Sequence, residues 1–301
     1  MISVVIPTCE RNDLLALCLE RLAPGRQQGM AWAAAGLPSD DRSGYEVIIS
    51  DDGRRATAEA MIRTRFPWAL WTAGPRLGPA ANRNHGARQA RGDWVVFTDD
   101  DCIPDPDWLQ AFARNVTPNG SALEGAIHAL GSLEGMVECP VNTSGGHFWS
   151  ANIAVRREVF FRLGGFDQNF PNAAQEDQDI FQRLGGATVV PFVPAAVVRH
   201  PVRPVSLRQK LRSLPAAFDN WVYYFVKHDP AKPHPEWRLL RSVFRMNAPH
   251  AIRNILCGRY GWALINLCNL AIAVSRFRPA MARARARLST AHSENFAIES
   301  H

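Results

Sequence analysis

Clustered cysteines are missing from this sequence of 301 residues. No two of its six cysteines have the spacing of metal ligands (Cys9, Cys18, Cys102, Cys139, Cys257 and Cys268). This distribution excludes a disulfide framework and is typical of reduced thiols in the cytoplasm. The opening MISVVIPTCERN also lacks the basic and long apolar segments of a signal peptide. We therefore expect a cytoplasmic protein.

Acidic residues are scarce in the last third of the chain. Residues 201–301 contain 16 Lys and Arg against 5 Asp and Glu, whereas residues 1–200 contain 18 against 23. The net charges of the two parts are therefore +11 and −5. An acidic first part suits the handling of cations, and a basic second part suits contact with an anionic surface. The chain is 47% hydrophobic and 21% charged, which is the composition of a folded protein, and it contains no internal repeats or low-complexity tracts.

Short apolar segments alternate with amphipathic segments over the first hundred residues. Strands are predicted for ISVVIP (2–7), YEVIIS (45–50), WALWTA (68–73) and DWVVFT (93–98). Helical spacing of apolar residues predicts helices over 11–22, 56–66 and 78–90. This alternation predicts an α/β fold with a mostly parallel sheet covered by helices on both faces. Ligands bind at the carboxyl ends of such strands, where we place Thr8, Asp51–Asp52 and Asp99–Asp101.

The pattern is less regular after Asp105. Helices are predicted over 107–115 and 173–186, strands over 122–130 and 188–200, and a loop, a strand and a helix within 145–166. The connection over 24–44 is long for a link between a helix and a strand, so we expect a surface insertion there.

Three consecutive carboxylates, Asp99, Asp100 and Asp101, follow the strand DWVVFT. They either form a solvated turn that caps the next helix or bind a divalent cation such as Mg²⁺ or Mn²⁺, which takes oxygen ligands from carboxylates and phosphates. Alternation of side chains along the strand would place Asp99 and Asp101 on one side and direct Asp100 elsewhere. His200, at the end of the strand AAVVRH, is either a structural histidine or a further ligand.

A second acidic cluster lies in the sequence QEDQD. Glu176, Asp177 and Asp179 fall in the first turn of a predicted helix, where carboxylates are favoured by the helix dipole. Neighbouring residues on a helix point in different directions, so only one of these acids is expected to face a cleft. The cluster therefore either caps the helix or supplies one carboxylate for proton transfer.

Five segments, in this order, resemble family 2 glycosyltransferases of the GT-A fold: VVIPTCERN, YEVIISDDG, GPAANRNHGARQARGDWVVFTDDDCIPDPDWL, FWSANIAVRREVFFRLGGFDQNF and EDQDIFQRLGG. The resemblance implies a GT-A catalytic domain over 1–204, with a nucleotide-binding half (about 1–104) and an acceptor half (about 105–204). A helical, basic extension over 205–301 would follow it. The implied reaction is metal-dependent transfer of a sugar, with inversion, from a nucleotide-diphospho-sugar to a hydroxyl acceptor.

The resemblance also implies roles for individual residues. The donor nucleotide and its phosphates would be contacted by Thr8, Glu10, Asp51, Asp52, Arg83, Asp99 and Asp100. Asp99 and Asp101 match the DxD-type motif that holds Mn²⁺ or Mg²⁺, and His200 resembles a cation-binding histidine of some members. Asp177 matches the general base that takes the proton of the acceptor hydroxyl. His147, Trp149 and Glu176 would lie on the acceptor side, where the aromatic rings either stack on sugars or fill a core.

The sequence departs from the family pattern at two points. Cys9–Glu10 stand where Tyr-Asn is common, which weakens the nucleotide contacts predicted there. The Gln-x-x-Arg-Trp motif of processive synthases is absent, which favours transfer of one sugar per visit. A nucleotidyltransferase would need a glycine-rich phosphate loop that PTCERN lacks, and a non-catalytic nucleotide-sugar-binding protein would not need the intact acidic clusters. No nucleic-acid-binding motif accompanies the positive charge, so no nucleic acid is expected as a partner.

The basic extension contains the segment RYGWALINLCNLAIAVSRFR (259–278). Its residues 260–275 include no Asp, Glu, Lys or Arg, which is short for a membrane span, and they contain Asn266 and Asn269. The segment therefore lies in a membrane interface, packs as a buried helix, or spans a membrane, in that order of preference. The basic, aromatic tail favours an anionic membrane surface as a partner. A lipid-linked saccharide on its cytoplasmic side, in cell-envelope or exopolysaccharide synthesis, would then be the acceptor.

Overall fold

The computed structural model describes residues 1–32, 44–170, 174–186, 189–228 and 235–299. The chain divides into two compact units, which are described separately. The sheet unit comprises Met1–Leu133, Cys139–Gln168 and Glu176–Arg203. The helical unit comprises Glu134–Glu138, Asn169–Gln175 and Pro204–His301. Most of the predicted insertion over 24–44 lies outside the described residues.

The strands build one large sheet and one small one. In chain order they are β1 (Ile2–Thr8), β2 (Ala31–Trp32), β3 (Gly44–Asp51), β4 (Leu70–Ala73), β5 (Trp94–Thr98), β6 (Ile103–Pro104), β7 (Ala122–Leu130), β8 (Val137–Glu138), β9 (Asn152–Arg156), β10 (Phe192–Pro201) and β11 (Arg203–Pro204). The large sheet has the order β2-β3-β1-β5-β9-β7-β10-β6, and β4 also pairs with β3. Strands β8 and β11 form the small sheet.

Six helices belong to the sheet unit. They are α1 (Asn12–Leu22), α2 (Glu59–Arg65), α3 (Pro79–Arg88), α4 (Trp108–Asn115), α5 (Arg157–Arg162) and α6 (Glu176–Arg183). Alternate residues of β1 serve opposite faces of the sheet, because Val4 belongs to the buried cluster with α1, α2 and α4, whereas Val5 belongs to the cluster with α3, α5 and α6. The predicted α/β fold with helices on both faces is confirmed.

Strand direction decides which residues meet at one edge of the sheet. Strands β1, β3, β4 and β5 run parallel, as the sequence predicts, and β9 runs antiparallel to β5 and β7. Strand β10 is parallel to β7, so its carboxyl end lies at the same edge as that of β5. The amino end of β9 lies there too, because Asn152 pairs with Thr98. Loops before β9 therefore lie near the ends of β5 and β10.

The helical unit is built from α7 (Leu207–His228), α8 (Pro235–Leu256) and α9 (Tyr260–Glu299). Its core contains Phe218 and Tyr223 of α7, Leu239 of α8 and Ala273 and Met281 of α9. In the part of the chain that the structure describes, no helix combines the length and the apolarity needed to cross a bilayer.

Candidate active site

The predicted site residues of the sheet unit lie around the carboxyl ends of its parallel strands. Thr8 ends β1 beside Asp51, which ends β3. The three acids Asp99–Asp101 follow β5, and His200 is the last but one residue of β10. The topology alone therefore brings together groups that are up to 192 residues apart in the sequence.

The three consecutive acids do not continue the strand. Strand β5 ends at Thr98, and residues 99–102 form a turn in which the N–H of Cys102 donates to the carbonyl of Asp99 over 3.1 Å. Strand alternation therefore stops before the acids. The prediction that Asp100 points away from Asp101 is wrong, because both carboxylates face Arg11. Asp99 turns instead to Arg83, with 2.8 Å between Nη2 and Oδ1.

Arg11 pairs with both buried acids of this turn. Its Nη1 lies 2.8 Å from Oδ1 of Asp100 and its Nη2 lies 2.5 Å from Oδ2 of Asp101, and each aspartate is only 2% exposed. The hydroxyl of Thr8 donates to Oδ2 of Asp100 over 2.8 Å. Burial raises the pKa of Asp100 to about 6, against the opposing effects of Arg11 and Thr8.

Arg11 and Arg203 are site residues that the sequence reasoning missed. Arg203 also contacts Asp101. A signal for such residues was present, because buried carboxylates require nearby cations. Arg11 follows Thr8 by three residues, at the end of the same strand, and could have been proposed on that ground.

Oδ1 of Asp101 and Nε2 of His200 face each other in the site. Nδ1 of His200 lies 2.9 Å from the carbonyl oxygen of Pro201, which only accepts, so Nδ1 carries the proton. Burial lowers the pKa of His200 and favours the neutral ring. Its unprotonated Nε2 then lies 3.5 Å from Oδ1 of Asp101. That oxygen is buried and has no hydrogen-bond partner among the described residues.

These residues fit a divalent cation. Asp101, Cys102 and His200 each offer a ligand atom within 4.8 Å of the others. A carboxylate oxygen suits Mn²⁺ or Mg²⁺ together with oxygen atoms of a substrate, and the imidazole nitrogen favours the transition metal Mn²⁺ over Mg²⁺. Asp99, the other predicted ligand, is 27% exposed and is paired with Arg83.

Arg83 connects the acidic turn to helix α6. It lies in α3, is 5% exposed, and its Nη1 donates to Oε1 of Glu176 over 3.1 Å while Nη2 pairs with Asp99. Its guanidinium also lies 5.8 Å from the ring centre of Phe166. Two of the predicted acids are thus held by one buried cation.

The three acids of α6 differ in their partners. Glu176 pairs with Arg83, and Asp179 accepts hydrogen bonds from Arg183, four residues further along the helix. Asp177 has no ion pair with any residue that the structure describes, and its carboxylate accepts the N–H of Gln178 over 2.8 Å. Burial, and then the charge of Glu176, raise the pKa of Asp177 to about 7.

The predicted nucleotide-side acids hold the loops that follow β3 and β4. Asp51 accepts hydrogen bonds from the N–H groups of Gly53 and Ala58 and from the indole of Trp71. Asp52 accepts the N–H of Arg76 over 2.8 Å. The carboxylate of Glu10, a residue with φ of 55°, accepts the N–H groups of Arg54 and Arg55. Contact of these acids with a nucleotide remains a prediction.

The loop before β9 presents two stacked rings. His147 and Trp149 lie 4.5 Å apart at an angle of 17°, and His147 is exposed. Phe148, between them, is buried and stacks on Phe181. Glu124 of β7, which the sequence reasoning missed, accepts the N–H groups of residues 146–148. Phe148 therefore packs in the core, whereas His147 and Trp149 lie nearer the surface.

Family models match most of the sheet unit. Residues 3–127 match the model described as glycosyl transferase family 2, and residues 147–226 match the model described as glycosyltransferase like family 2. The chain belongs to glycosyltransferase family 2.

Individual relatives are distant and longer. The O-antigen biosynthesis protein RfbC of Myxococcus xanthus is 28% identical over 259 residues, which cover 74% of this chain and 19% of RfbC. Validoxylamine A glucosyltransferase of Streptomyces hygroscopicus subsp. limoneus is 27% identical over 230 residues, which cover 61% of this chain and 48% of that protein. The chain thus spans less than half of either relative.

A solved structure carries the same fold. The mannosyltransferase PcManGT from Pyrobaculum calidifontis, in complex with GDP-Man and Mn²⁺, superposes with a TM-score of 0.53 at 18% identity, covering 97% of this chain and 75% of that one. Together with the mostly parallel sheet, this likeness confirms the predicted GT-A fold.

Proposed function

We propose that this family 2 chain is a metal-dependent, inverting glycosyltransferase that moves one sugar per visit from a nucleotide-diphospho-sugar to a hydroxyl acceptor. The observation that carries the proposal is the buried Oδ1 of Asp101, which has no hydrogen-bond partner among the described residues and lies 3.5 Å from Nε2 of His200 at the strand ends of an α/β sheet. Two buried acceptor atoms in contact are unfavourable without a cation between them. The reason to expect a divalent cation there is that Asp99 and Asp101 match the DxD-type motif of the family.

The donor is expected on the β1, β3 and β5 side of this edge. PcManGT is in complex with GDP-Man and Mn²⁺, which supports a nucleotide sugar as the donor class and Mn²⁺ as the metal. Asp101 and His200 would hold the ion, with the second carboxylate oxygen of Asp99 as a third ligand while its Oδ1 stays paired with Arg83. A bound divalent cation neutralises the negative charge that develops on the departing nucleoside diphosphate.

Arg83 is suited to the diphosphate because it is already positioned by two carboxylates. Its guanidinium is held between Asp99 and Glu176, so little side-chain entropy is lost when it binds an anion. Thr8 and Arg11, at and just after the end of the neighbouring strand β1, position Asp100 and Asp101.

Asp177 is the proposed general base. It takes the proton from the acceptor hydroxyl as the oxygen attacks the anomeric carbon from the side opposite the leaving diphosphate, which inverts the configuration. Asp177 is the only acid of the QEDQD sequence without an ion pair to an arginine among the described residues, so no salt bridge has to break before it accepts a proton. A pKa of about 7 also makes it a stronger base than an ordinary aspartate.

The acceptor is proposed to be a saccharide, with the stacked rings of His147 and Trp149 as its platform. A role in cell-envelope polysaccharide synthesis is supported by the likeness to an O-antigen biosynthesis protein. The basic extension supports a lipid-linked form of this saccharide at an anionic membrane.

The proposal is tested by titrating the protein with a panel of UDP-, GDP- and dTDP-sugars in the presence of Mn²⁺, Mg²⁺ or EDTA. Isothermal titration calorimetry gives binding, and release of the nucleoside diphosphate gives slow hydrolysis without an acceptor. We expect at least one donor to bind with Mn²⁺ and to lose binding with EDTA. Equal binding of a donor in EDTA would contradict the metal assignment, and binding of no nucleotide sugar would contradict the donor class.

A further inference from the structure

Helices α8 and α9 form a hairpin in the helical unit. Only residues 257–259 connect them, and Gly258 takes the positive φ of 69° that the tight connection requires. The two helices pack against each other along the hairpin, and α7 completes the core at the far end from this connection, through Leu239 and Met281.

Polar side chains lie between the two helices near the connection, where Ala251, Ala263 and Ile265 are also buried. The amide of Asn254 donates to the side-chain oxygen of Asn266 over 3.0 Å. Oδ1 of Asn247 accepts from Asn266 over 3.2 Å and from Asn269 over 3.1 Å. Two asparagines of α8 and two of α9 therefore form a hydrogen-bonded ladder, and Asn247 is only 9% exposed.

The outer surface of the same segment is apolar. Six large side chains on both sides of the connection are between 42% and 82% exposed: Ile252, Ile255, Leu256, Tyr260, Leu264 and Leu267. A helix pair in water normally shows the reverse arrangement, with apolar residues between the helices and polar residues outside. Polar residues between helices and apolar residues outside are typical of helices that face lipid.

The charges around this surface are of one sign. From Trp237 to Ser293 the sequence contains ten arginines and no Asp, Glu or Lys. Arg253 and Arg259 are exposed beside Leu256 and Tyr260 at the tip of the hairpin. Guanidinium groups next to exposed apolar and aromatic side chains match an interface of anionic headgroups over acyl chains.

A second copy of the chain is a poorer occupant of this surface. A twofold interface places the same patch on both sides, and here it would bring the arginines of the two helices against each other. An anionic bilayer provides both the apolar medium and the negative charge.

We propose that the outer face of the α8–α9 hairpin tip, which consists of Ile252, Arg253, Ile255, Leu256, Arg259, Tyr260, Leu264 and Leu267, inserts into the interface of an anionic lipid bilayer. The tip enters the interface and does not cross the bilayer. The proposal concerns lipid binding alone, so it stands or fails independently of glycosyl transfer.

Vesicle co-sedimentation tests the apolar contribution. The full chain is mixed with vesicles of phosphatidylcholine and phosphatidylglycerol (3:1) or of phosphatidylcholine alone. We expect binding to the anionic vesicles and a loss of about tenfold or more in partitioning for the triple variant Ile255→Gln, Leu256→Gln, Leu264→Gln. The matched control is Leu17→Gln with Leu133→Gln in the sheet unit, whose side chains are 51% and 55% exposed, and it should bind like the wild type.

Salt and charge variants test the electrostatic contribution. Arg253→Gln and Arg259→Gln should each weaken binding to the anionic vesicles by about fivefold and make the remaining binding less sensitive to salt. Unchanged binding in both variants would contradict the role of the arginines.

A fluorescent label locates the contact without changing an apolar residue. Cys257 lies at the tip and is exposed, so an environment-sensitive dye can be attached to it in a Cys9→Ser variant. We expect a blue shift of its emission when anionic vesicles are added, and no shift for a dye on Cys9 in a Cys257→Ser variant.

Two results would overturn the proposal. The first is an unshifted dye at Cys257 together with equal vesicle binding by the wild type and the triple variant. The second is a wild-type dimer in analytical ultracentrifugation that becomes monomeric in the triple variant while neither binds vesicles. This second result would assign the surface to a contact between copies of the chain.

Discussion

The sheet unit places apolar side chains on both faces of its sheet, where helices cover them, and gathers charged side chains at one edge. The tip of the helical unit does the opposite, with asparagines between two helices and leucine and isoleucine outside. A core surrounded by water favours the first arrangement. The difference fits our proposal that the two surfaces meet different media, water and substrate in one case and lipid in the other.

Both units bury polar groups, but for different purposes. Besides neutral groups such as Asn152, the sheet unit buries ionised pairs such as Arg83 with Glu176, whose desolvation cost is tolerated where charge is needed for chemistry. The buried polar groups of the helical unit are neutral amides, which fix the register of two helices at a lower desolvation cost. Removal of a charged partner should therefore have larger effects than removal of an amide.

The largest effect is expected at Asp177. Asp177→Asn keeps the shape of the side chain but cannot accept the proton, so the transfer rate should fall by about 10²–10⁴-fold while donor binding is retained. Turnover with a competent acceptor and calorimetry with the donor measure the two quantities. Asp107→Asn, an exposed aspartate before α4, is the control and should keep full activity. Full transfer by Asp177→Asn would rule out its role as the base.

Loss of Arg83 should have the next largest effect, on stability. Arg83→Met leaves Asp99 and Glu176 without the cation between them, and breaking such a buried pair costs about 3–5 kcal/mol. Urea denaturation followed by circular dichroism gives the free energy of unfolding. Arg88→Met changes an exposed arginine of the same helix and should alter it by less than about 0.5 kcal/mol. A similar small change in Arg83→Met would mean that the pair contributes nothing net.

The pH dependence of stability separates the charge of Asp177 from its shape. The pKa of Asp177 is raised by folding, so the folded state binds its proton more tightly than the unfolded state does. Wild-type stability relative to Asp177→Asn should therefore fall as the pH rises from about 4 to about 7. Asp177→Asn should be the more stable protein at pH 8, by more than about 1 kcal/mol. Parallel stability curves for the two proteins between pH 4 and pH 8 would contradict this.

The smallest effect is expected in the asparagine ladder. Asn254→Ala leaves the side-chain oxygen of Asn266 without its donor, which should lower the free energy of unfolding by about 1 kcal/mol. The same urea measurement applies, because α8 contributes to the core of the helical unit. Ser242→Ala, a change in the same helix outside the ladder, is the comparison. A loss above about 3 kcal/mol would show that buried amides matter here as much as buried charges.

The local pattern of apolar and polar residues was sufficient to predict most of the sheet unit. Continuous apolar strands and amphipathic helices predicted β1, β3 and β5 with the helices between them, and the rule of strand ends placed Thr8, Asp51 and the three acids at one edge. The antiparallel direction of β9 was not predictable, because the segment NIAVR has the same apolar composition whichever way it pairs.

The details of the site depended on contacts between distant residues. The prediction assumed that the strand continues through Asp99–Asp101. A turn closed by the N–H of Cys102 redirects these side chains instead. Arg11, which is 89 and 90 residues away in the sequence, pairs with Asp100 and Asp101. The hairpin shows the same limit of prediction from local sequence. The spacing of Asn266 and Asn269 indicates one helix face, but only the contact with Asn247 shows that this face points inward.

The central claim is a cation site between Asp101 and His200, and Mn²⁺ binding tests it most directly. Calorimetric titration of Mn²⁺ in the presence of a bound nucleoside diphosphate should give one site in the wild type, weakened by about 10-fold or more in His200→Gln and abolished in Asp101→Asn. The exposed His250 provides the control variant His250→Gln, which should bind Mn²⁺ like the wild type. Equal Mn²⁺ affinity in the wild type, His200→Gln and Asp101→Asn would contradict the account.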